Sequence, residues 1–300
     1  MTYHVPVMPK ESLAGLEIRK DGVYVDATFG GGGHSRLILN ELGDKGRLLG
    51  FDQDQDALQN VPEDERFTFV QHNFRYLRRF LKLYGIRQVD GILADLGVSS
   101  HQLDEGSRGF SYRFDHPLDM RMNQTEGPTA ADVVNERTED ELLRIFSEYG
   151  EVRNSRTLAN GLVQARDAKK IATVGDLLAA MEPYIRGARN KYLSQVFQAL
   201  RIEVNDEMGA LGDFLEQSLE ALRPGGRLVI ISYHSLEDRL VKNFLRAGNL
   251  QGEQEKDFYG NITRPFNVLT RKAAFPTAEE IKENPRARSA RLRVGEKAGR

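Results

Sequence analysis

The sequence predicts a Rossmann-like α/β fold: a mostly parallel sheet covered by helices on both faces and interrupted by an all-helical insert. Short apolar runs alternate with amphipathic helical stretches, the pattern that builds parallel sheets from strand–helix–strand units. The first apolar run opens directly into glycines, Asp26-Ala-Thr-Phe-Gly30-Gly-Gly-Gly33-His34, and the second runs into an acid, Asp52. Over residues 129–205 the alternation stops and only helical periodicity remains.

Strands are expected at 23–26, 47–51, 67–71, 89–94 and 227–232, where apolar runs are bounded by turn residues. After the third, Asn73 can cap a helix whose stripe is Leu77, Phe80, Leu81 and Tyr84, with Gly85 as its stop. Its other face carries Arg75, Arg78, Arg79 and Lys82, read as a solvated face rather than an RNA site. In the insert, Thr138-Glu-Asp-Glu141 is a capping box before Leu142, Leu143, Ile145 and Phe146, with Gly150 as the stop. Thr173-Val-Gly-Asp176 starts another helix before Leu177, Leu178 and Met181. Near the end, Ser235 is read as the cap of a helix with Asp238 three residues on and Gly248 closing it. The organisation expected is a first part at 1–128, the helical insert at 129–205, and a second part at 206–300 with a basic tail. An insert between the fourth and fifth strands sits at the carboxyl edge, where open α/β sheets bind ligands, and is read as a substrate-recognition subdomain.

Composition narrows the class. The chain has 300 residues, 40% hydrophobic and 29% charged, as in an ordinary globular protein with room for one large domain or a domain carrying an insert. No stretch nears the roughly 18 consecutive apolar residues of a membrane span. The N-terminus lacks the basic start and apolar core of a signal peptide, so a cytoplasmic location and no membrane contact are expected. With no cysteine, disulfides, thiolate metal sites and cysteine nucleophiles are excluded together. The six histidines show no metal-ligand spacing, and no metal is expected. The net charge of −2 means that any nucleic acid must be held by local patches. Arg286, Arg288, Arg291, Arg293, Lys297 and Arg300, with Glu296 the acid among them, form one such patch. Between a solvated tail and an RNA contact, this unpaired charge beside a nucleotide-type fold favours RNA.

Glycines after a first strand let backbone approach a nucleoside, and an acid one strand later can accept hydrogen bonds from ribose hydroxyls. An adenosine-containing cofactor is therefore expected, with Asp52 on the ribose. The glycines miss the full G-x-G-x-x-G register that seats a pyrophosphate, because Ser35 stands at the last position. Leu222-Arg-Pro-Gly225-Gly226 resembles the turn before the fifth strand of many methyltransferases. Both details favour S-adenosylmethionine over a dinucleotide.

Asp95 ends the fourth strand, where this fold class places catalytic groups. Many amino-group methyltransferases have an Asp or Asn there, followed by Pro-Pro and an aromatic that stacks on the base. Here Leu-Gly-Val follows, so Phe110, Tyr112, Phe114 or Tyr233 would supply a stacking surface. His234 stands on a strand-end turn, with a substrate-side role and a purely structural one both open.

Taken together, the chain strongly resembles the bacterial RsmH (MraW) family of 16S ribosomal RNA cytosine-N4 methyltransferases. The shared segments run nearly end to end: His4-Val-Pro-Val7, Asp26 to His34, Phe51-Asp-Gln-Asp54, Asp90 to Gln102, Arg108-Gly-Phe-Ser111, Pro117 to Met122, Val196 to Ile202, Ile231-Ser-Tyr-His-Ser-Leu-Glu-Asp-Arg239 and Asn284 to Ala290. The resemblance implies a class I S-adenosylmethionine-dependent methyltransferase interrupted by a helical domain, acting on 16S rRNA within the small ribosomal subunit. It implies cofactor contacts at Gly32, Gly33, His34, Asp52, Phe74, Asp95 and Gln102. Two features depart from the family: the segment Asn190 to Gln195 stands where many members have a His-Pro-Ala-Thr-Arg type sequence, and Tyr233 stands where many have Phe. The expected reaction is direct transfer to N4, with the base exposed or flipped from its stack. Absence of cysteine argues against C5 methylation, which normally uses a cysteine adduct. Methylation of DNA or protein, and a non-catalytic assembly factor, are the rival readings; monomer and homodimer are both open.

Overall fold

The computed structural model describes residues 6–254, 262 and 264–299, in two compact units: residues up to Gly97 with those from Gly209 onward, and Val98–Met208 between them. His4, the first residues read for a targeting signal, and Arg300 lie outside the described residues.

The first unit begins with α1 (Pro9–Leu16), β1 (Val23–Asp26), α2 (Gly33–Glu41), β2 (Arg47–Asp52), β3 (Phe67–Gln71), α3 (Leu77–Leu83) and β4 (Val89–Asp95). The helical unit follows with α4 (Ser100–Asp104), α5 (Ala130–Glu136), α6 (Glu139–Arg144), α7 (Ser155–Ala168), α8 (Val174–Met181) and α9 (Arg189–Asn205). The chain then returns through α10 (Glu207–Ala221), β5 (Leu222–Ser232), α11 (Ser235–Ala247), β6 (Phe266–Val268), α12 (Ala278–Glu283) and β7 (Arg291–Lys297). The seven strands form one sheet in the order β3-β2-β1-β4-β5-β7-β6, parallel from β3 to β5, with β7 antiparallel to both neighbours. This is the expected five-stranded Rossmann-like sheet extended by two further strands, β7 and β6. The strand order reverses direction between β1 and β4, so the carboxyl ends of β1, β2 and β4 frame the crevice where such sheets bind ligands.

Both units have their own core. In the sheet unit Tyr24, Ile38, Leu48, Leu93, Val229 and Ile231 are buried together. In the helical unit Val134, Leu142, Phe146, Leu158, Leu177 and Val196 do the same. Burying each such side chain stabilises its unit by about 1.5–3 kcal/mol relative to leaving it in water. The capping boxes at Thr138–Glu141 and Thr173–Asp176 form as read, and Gly150 closes the turn Ile145–Tyr149. Among the described residues no helix is long and apolar enough to cross a membrane.

Five expectations change. The helical unit starts at Val98 rather than 129, because Phe110, Leu118 and Met120 in an irregular stretch are buried in its core. Strand β5 starts at Leu222 rather than 227, with a register shift where it pairs Val89 and Gly91. Part of the basic tail, Arg291–Lys297, is β7, while Arg286 and Arg288 lie in the short turn Pro285–Ser289: Arg293 is buried against Asp238 (2.7 Å), Arg291 lies 3.5 Å from the same acid, and Lys297 donates to the Leu222 carbonyl (2.7 Å). Asn73 caps the short turn Phe74–Tyr76 ahead of α3; the apolar stripe buries Leu77 and Leu81 and leaves Tyr84 exposed. His234, not Ser235, caps α11, partnered by Glu237. On the basic face of α3, Arg75 pairs with Asp213 (2.7 Å) and Arg78 with Glu220, so part of it is neutralised within the unit.

Candidate active site

The site is built at the tips of β1, β2 and β4. Asp26 ends β1 fully buried, and its carboxylate accepts from the Thr28 amide (3.1 Å) and from the Ser35 hydroxyl (2.7 Å). It therefore grips both ends of the glycine loop. Burial pushes this carboxyl up, opposed by the nearby His34 charge and by the two hydrogen bonds.

Between those anchors the loop is held by backbone contacts to the strands. The Ala27 amide donates to the Leu93 carbonyl, and Phe29 to that of Phe51, both at 2.8 Å. Gly30 and Gly32 have φ of +49° and +73°, a conformation that side chains disfavour. A Cβ on Gly33 would come within 3.1 Å of the Pro6 ring, and one on Gly31 would meet nothing within 4 Å, so the outer side of the loop is open to a ligand.

Asp52, at the end of β2, accepts from the Gly30 amide (2.7 Å) on one oxygen and from the Asp54 amide (2.8 Å) on the other. A carboxylate oxygen has two lone-pair sites, so each retains one for a further donor. Burial raises this carboxyl to about 6, against the two backbone bonds. Phe74 follows β3, partly buried, and meets Phe214 edge-on with ring centroids 5.0 Å apart.

Asp95 ends β4. Its amide donates to the Thr28 hydroxyl (2.7 Å), and its Oδ1 accepts the Tyr233 hydroxyl (2.7 Å). Its Oδ2 lies 3.8 Å from His34 Nδ1, while His34 Nε2 is 2.9 Å from the Val7 carbonyl. Since a carbonyl can only accept, Nε2 carries a proton directed at Val7. Burial raises the Asp95 carboxyl to about 6; His34 and the Tyr233 bond oppose the rise, and Asp26 and Glu237 add to it. Its side chain still exposes 22% of its surface, so it is reachable.

Gln102 belongs to the helical unit, where it closes a capping box with Ser99: the Ser99 amide donates to its Oε1 (3.0 Å). His234 is buried. Its Nδ1 accepts from the Glu237 amide (3.4 Å), and its Nε2 lies 3.2 Å from Glu237 Oε1, beyond the angular range of a hydrogen bond. Of the aromatics offered as stacking surfaces, Phe110 is buried, Tyr112 packs edge-on against Phe197, and Phe114 is exposed.

The chain matches the sequence model of the MraW methylase family over residues 1–298. It belongs to that family. It is 60% identical over 297 residues to Ribosomal RNA small subunit methyltransferase H of Parabacteroides distasonis, covering 98% of this chain and 97% of that one. Proteins of the same name from Bacteroides thetaiotaomicron and Flavobacterium johnsoniae are 57% and 55% identical, each over 298 residues that cover 99% of this chain and 98% of theirs. In this MraW methylase the structure brings Gly32, Gly33, His34, Asp52 and Asp95 to one edge of the sheet unit. Two residues of that edge were not assigned a polar role from sequence: Asp26 and Tyr233. Asp26 had a visible signal, as the acid that closes a strand before the glycines; the partnership of Tyr233 with Asp95 spans 138 positions and had none.

Proposed function

We propose that this MraW methylase transfers the methyl group of S-adenosylmethionine to the N4 amine of a cytosine in 16S rRNA of the small ribosomal subunit, in the cytoplasm. The observation that carries the reading is Asp95: a reachable carboxylate at the tip of β4, oriented by Thr28 and Tyr233 beside a glycine loop and a ribose-type acid.

The residues present suit the methyl donor. The open side of the loop at Gly31 accepts close approach, Asp52 has one lone-pair site left on each oxygen for two ribose hydroxyls, and Phe74 offers a face for adenine. Gly32, Gly33 and His34 line the same loop. Asp95 contributes a negative charge near the positive sulfur. When bound, the donor supplies an electrophilic methyl group.

The chain's own work is orientation and proton handling. An exocyclic amine conjugated with its ring is a weak nucleophile, and alignment of the two reactants can remove several kcal/mol of barrier. Asp95 accepts an N–H of the amine, which draws electron density onto nitrogen, and takes the proton as the new N–C bond forms. His234 is occupied in capping α11, and we assign it to the turn rather than to proton transfer. Gln102 buttresses the start of α4 within the helical unit. The helical unit, Val98–Met208, is the part we assign to holding RNA.

The test offers labelled S-adenosylmethionine to purified small subunits, free small-subunit RNA and DNA. Label is expected in subunits or their RNA, and Asp95→Ala is expected to abolish it. Label in DNA, or donor binding with no transfer to any RNA, would refute the reading.

A further inference from the structure

Asp95 is flanked by titratable groups from three elements and one connecting turn. His34 comes from α2, Asp26 from β1, Glu237 from α11, and Tyr233 from the residue that follows β5. Two of the four are acids, and neither can hold a carboxylate in place. His34 cannot donate to it either, because its Nε2 proton faces the Val7 carbonyl and its Nδ1 stands 3.8 Å away. Among the described residues, the side chain that donates a hydrogen bond to Asp95 is Tyr233.

Tyr233 is itself well fixed. Its amide donates to Glu237 Oε2 at 2.8 Å, so the same glutamate that completes the cap of α11 sets the backbone of Tyr233. Its ring packs against the sheet unit's core beside Gly97. Burial, Asp95, Glu237 and Glu280 all push its phenol well above the ordinary value. The hydroxyl therefore keeps its proton throughout the working range and can only donate to the carboxylate.

We propose that Tyr233 is a positioning residue for methyl transfer: its phenol fixes Asp95 through Oδ1 and leaves Oδ2 as the oxygen that takes the proton from the amine. The inference rests on the function proposed above. In the step, the N4–CH3 bond forms as the S–CH3 bond breaks, and the sulfur keeps that electron pair and becomes neutral. The N4–H bond breaks, its electrons stay on nitrogen, and the proton bonds to Oδ2. A donated hydrogen bond also favours the ionised carboxylate, which is the only form able to accept that proton.

Tyr233→Phe removes the hydroxyl and keeps the ring. The acid limb of the methyl-transfer profile is expected near pH 6 in the unmodified protein and about one unit higher in the variant. That corresponds to a rate loss at pH 6 roughly fivefold greater than the pH-independent loss, from a carboxylate no longer held in place, that is left at pH 8.5. The Asp95 carboxyl, followed by carbon NMR in the protein without donor, should titrate about one unit higher in the variant as well. A merely structural role would lower the rate equally at all pH values and leave the titration unmoved. Either an unshifted limb or an unshifted titration, with transfer by the unmodified protein intact, overturns this proposal. An unmodified protein that transfers no methyl to RNA at any pH overturns the functional reading instead, and the titration still reports on the Tyr233 contact.

Discussion

Replacing Asp52 with alanine removes the acceptor assigned to the ribose. Its two oxygens already take the Gly30 and Asp54 amides at 2.7 and 2.8 Å, leaving one lone-pair site on each for the 2′ and 3′ hydroxyls. A hydrogen bond to a charged group is worth about 1.5–3 kcal/mol, and water entering the vacated space returns part of that. A net loss of about 3 kcal/mol follows, roughly a hundredfold in Kd. Isothermal titration calorimetry with S-adenosylmethionine at pH 8, where the Asp52 carboxyl is ionised, measures it. Ligand chemistry separates ribose contact from loop disorder. The 2′-deoxy analogue should bind the unmodified protein about tenfold more weakly than S-adenosylmethionine, yet bind Asp52→Ala equally well. A Kd for the variant within threefold of the unmodified value would refute the ribose assignment. Losses that simply add would refute it too.

Asp95→Asn should abolish transfer and stabilise the donor-free protein. The folded-state carboxyl sits near 6, above its unfolded value, so the native state binds more protons between about pH 4 and 6 and stability falls as pH rises through that window. The asparagine variant is therefore expected to be more stable by ~2 kcal/mol at pH 8, with the gap closing below pH 4, as read by urea denaturation. Gly32→Ala places a Cβ at φ +73° and 3.0 Å from the Phe29 ring; it should cost ~1–2 kcal/mol in the same assay and weaken donor binding. Arg293→Ala leaves the half-buried Asp238 with only the more distant Arg291 as cationic partner, so it should lower stability by about 1–2 kcal/mol. The salt dependence of RNA binding is expected to stay unchanged, because the guanidinium is engaged by Asp238.

The parts that were legible in the sequence are those whose cause is local. Strands β1 to β4 are apolar runs closed by turn residues, and the capping boxes at Thr138 and Thr173 place donor and acceptor three residues apart. Strand β7 was hidden because Arg291, Arg293 and Lys297 make it look like a basic tail available to RNA. Their charge is answered by Asp238 and by the Leu222 carbonyl, far away in sequence. The early start of the helical unit was hidden because Phe110, Leu118 and Met120 reach its core from irregular backbone, which has no period to detect. At the site, Asp52 and Asp95 could be read from their places at strand ends. The capping role of His234 could not, because a buried imidazole acceptor beside Glu237 competes with Ser235, the residue that local preference favours.

The central claim is that the Asp95 edge directs a methyl group to an exocyclic amine. Nucleoside mass spectrometry of small-subunit RNA, after incubation with trideuteromethyl-labelled S-adenosylmethionine, tests it most directly. The account predicts the labelled methyl in N4-methylcytidine, lost in Asp95→Asn. Label in 5-methylcytidine, in another base or in ribosomal protein would contradict it.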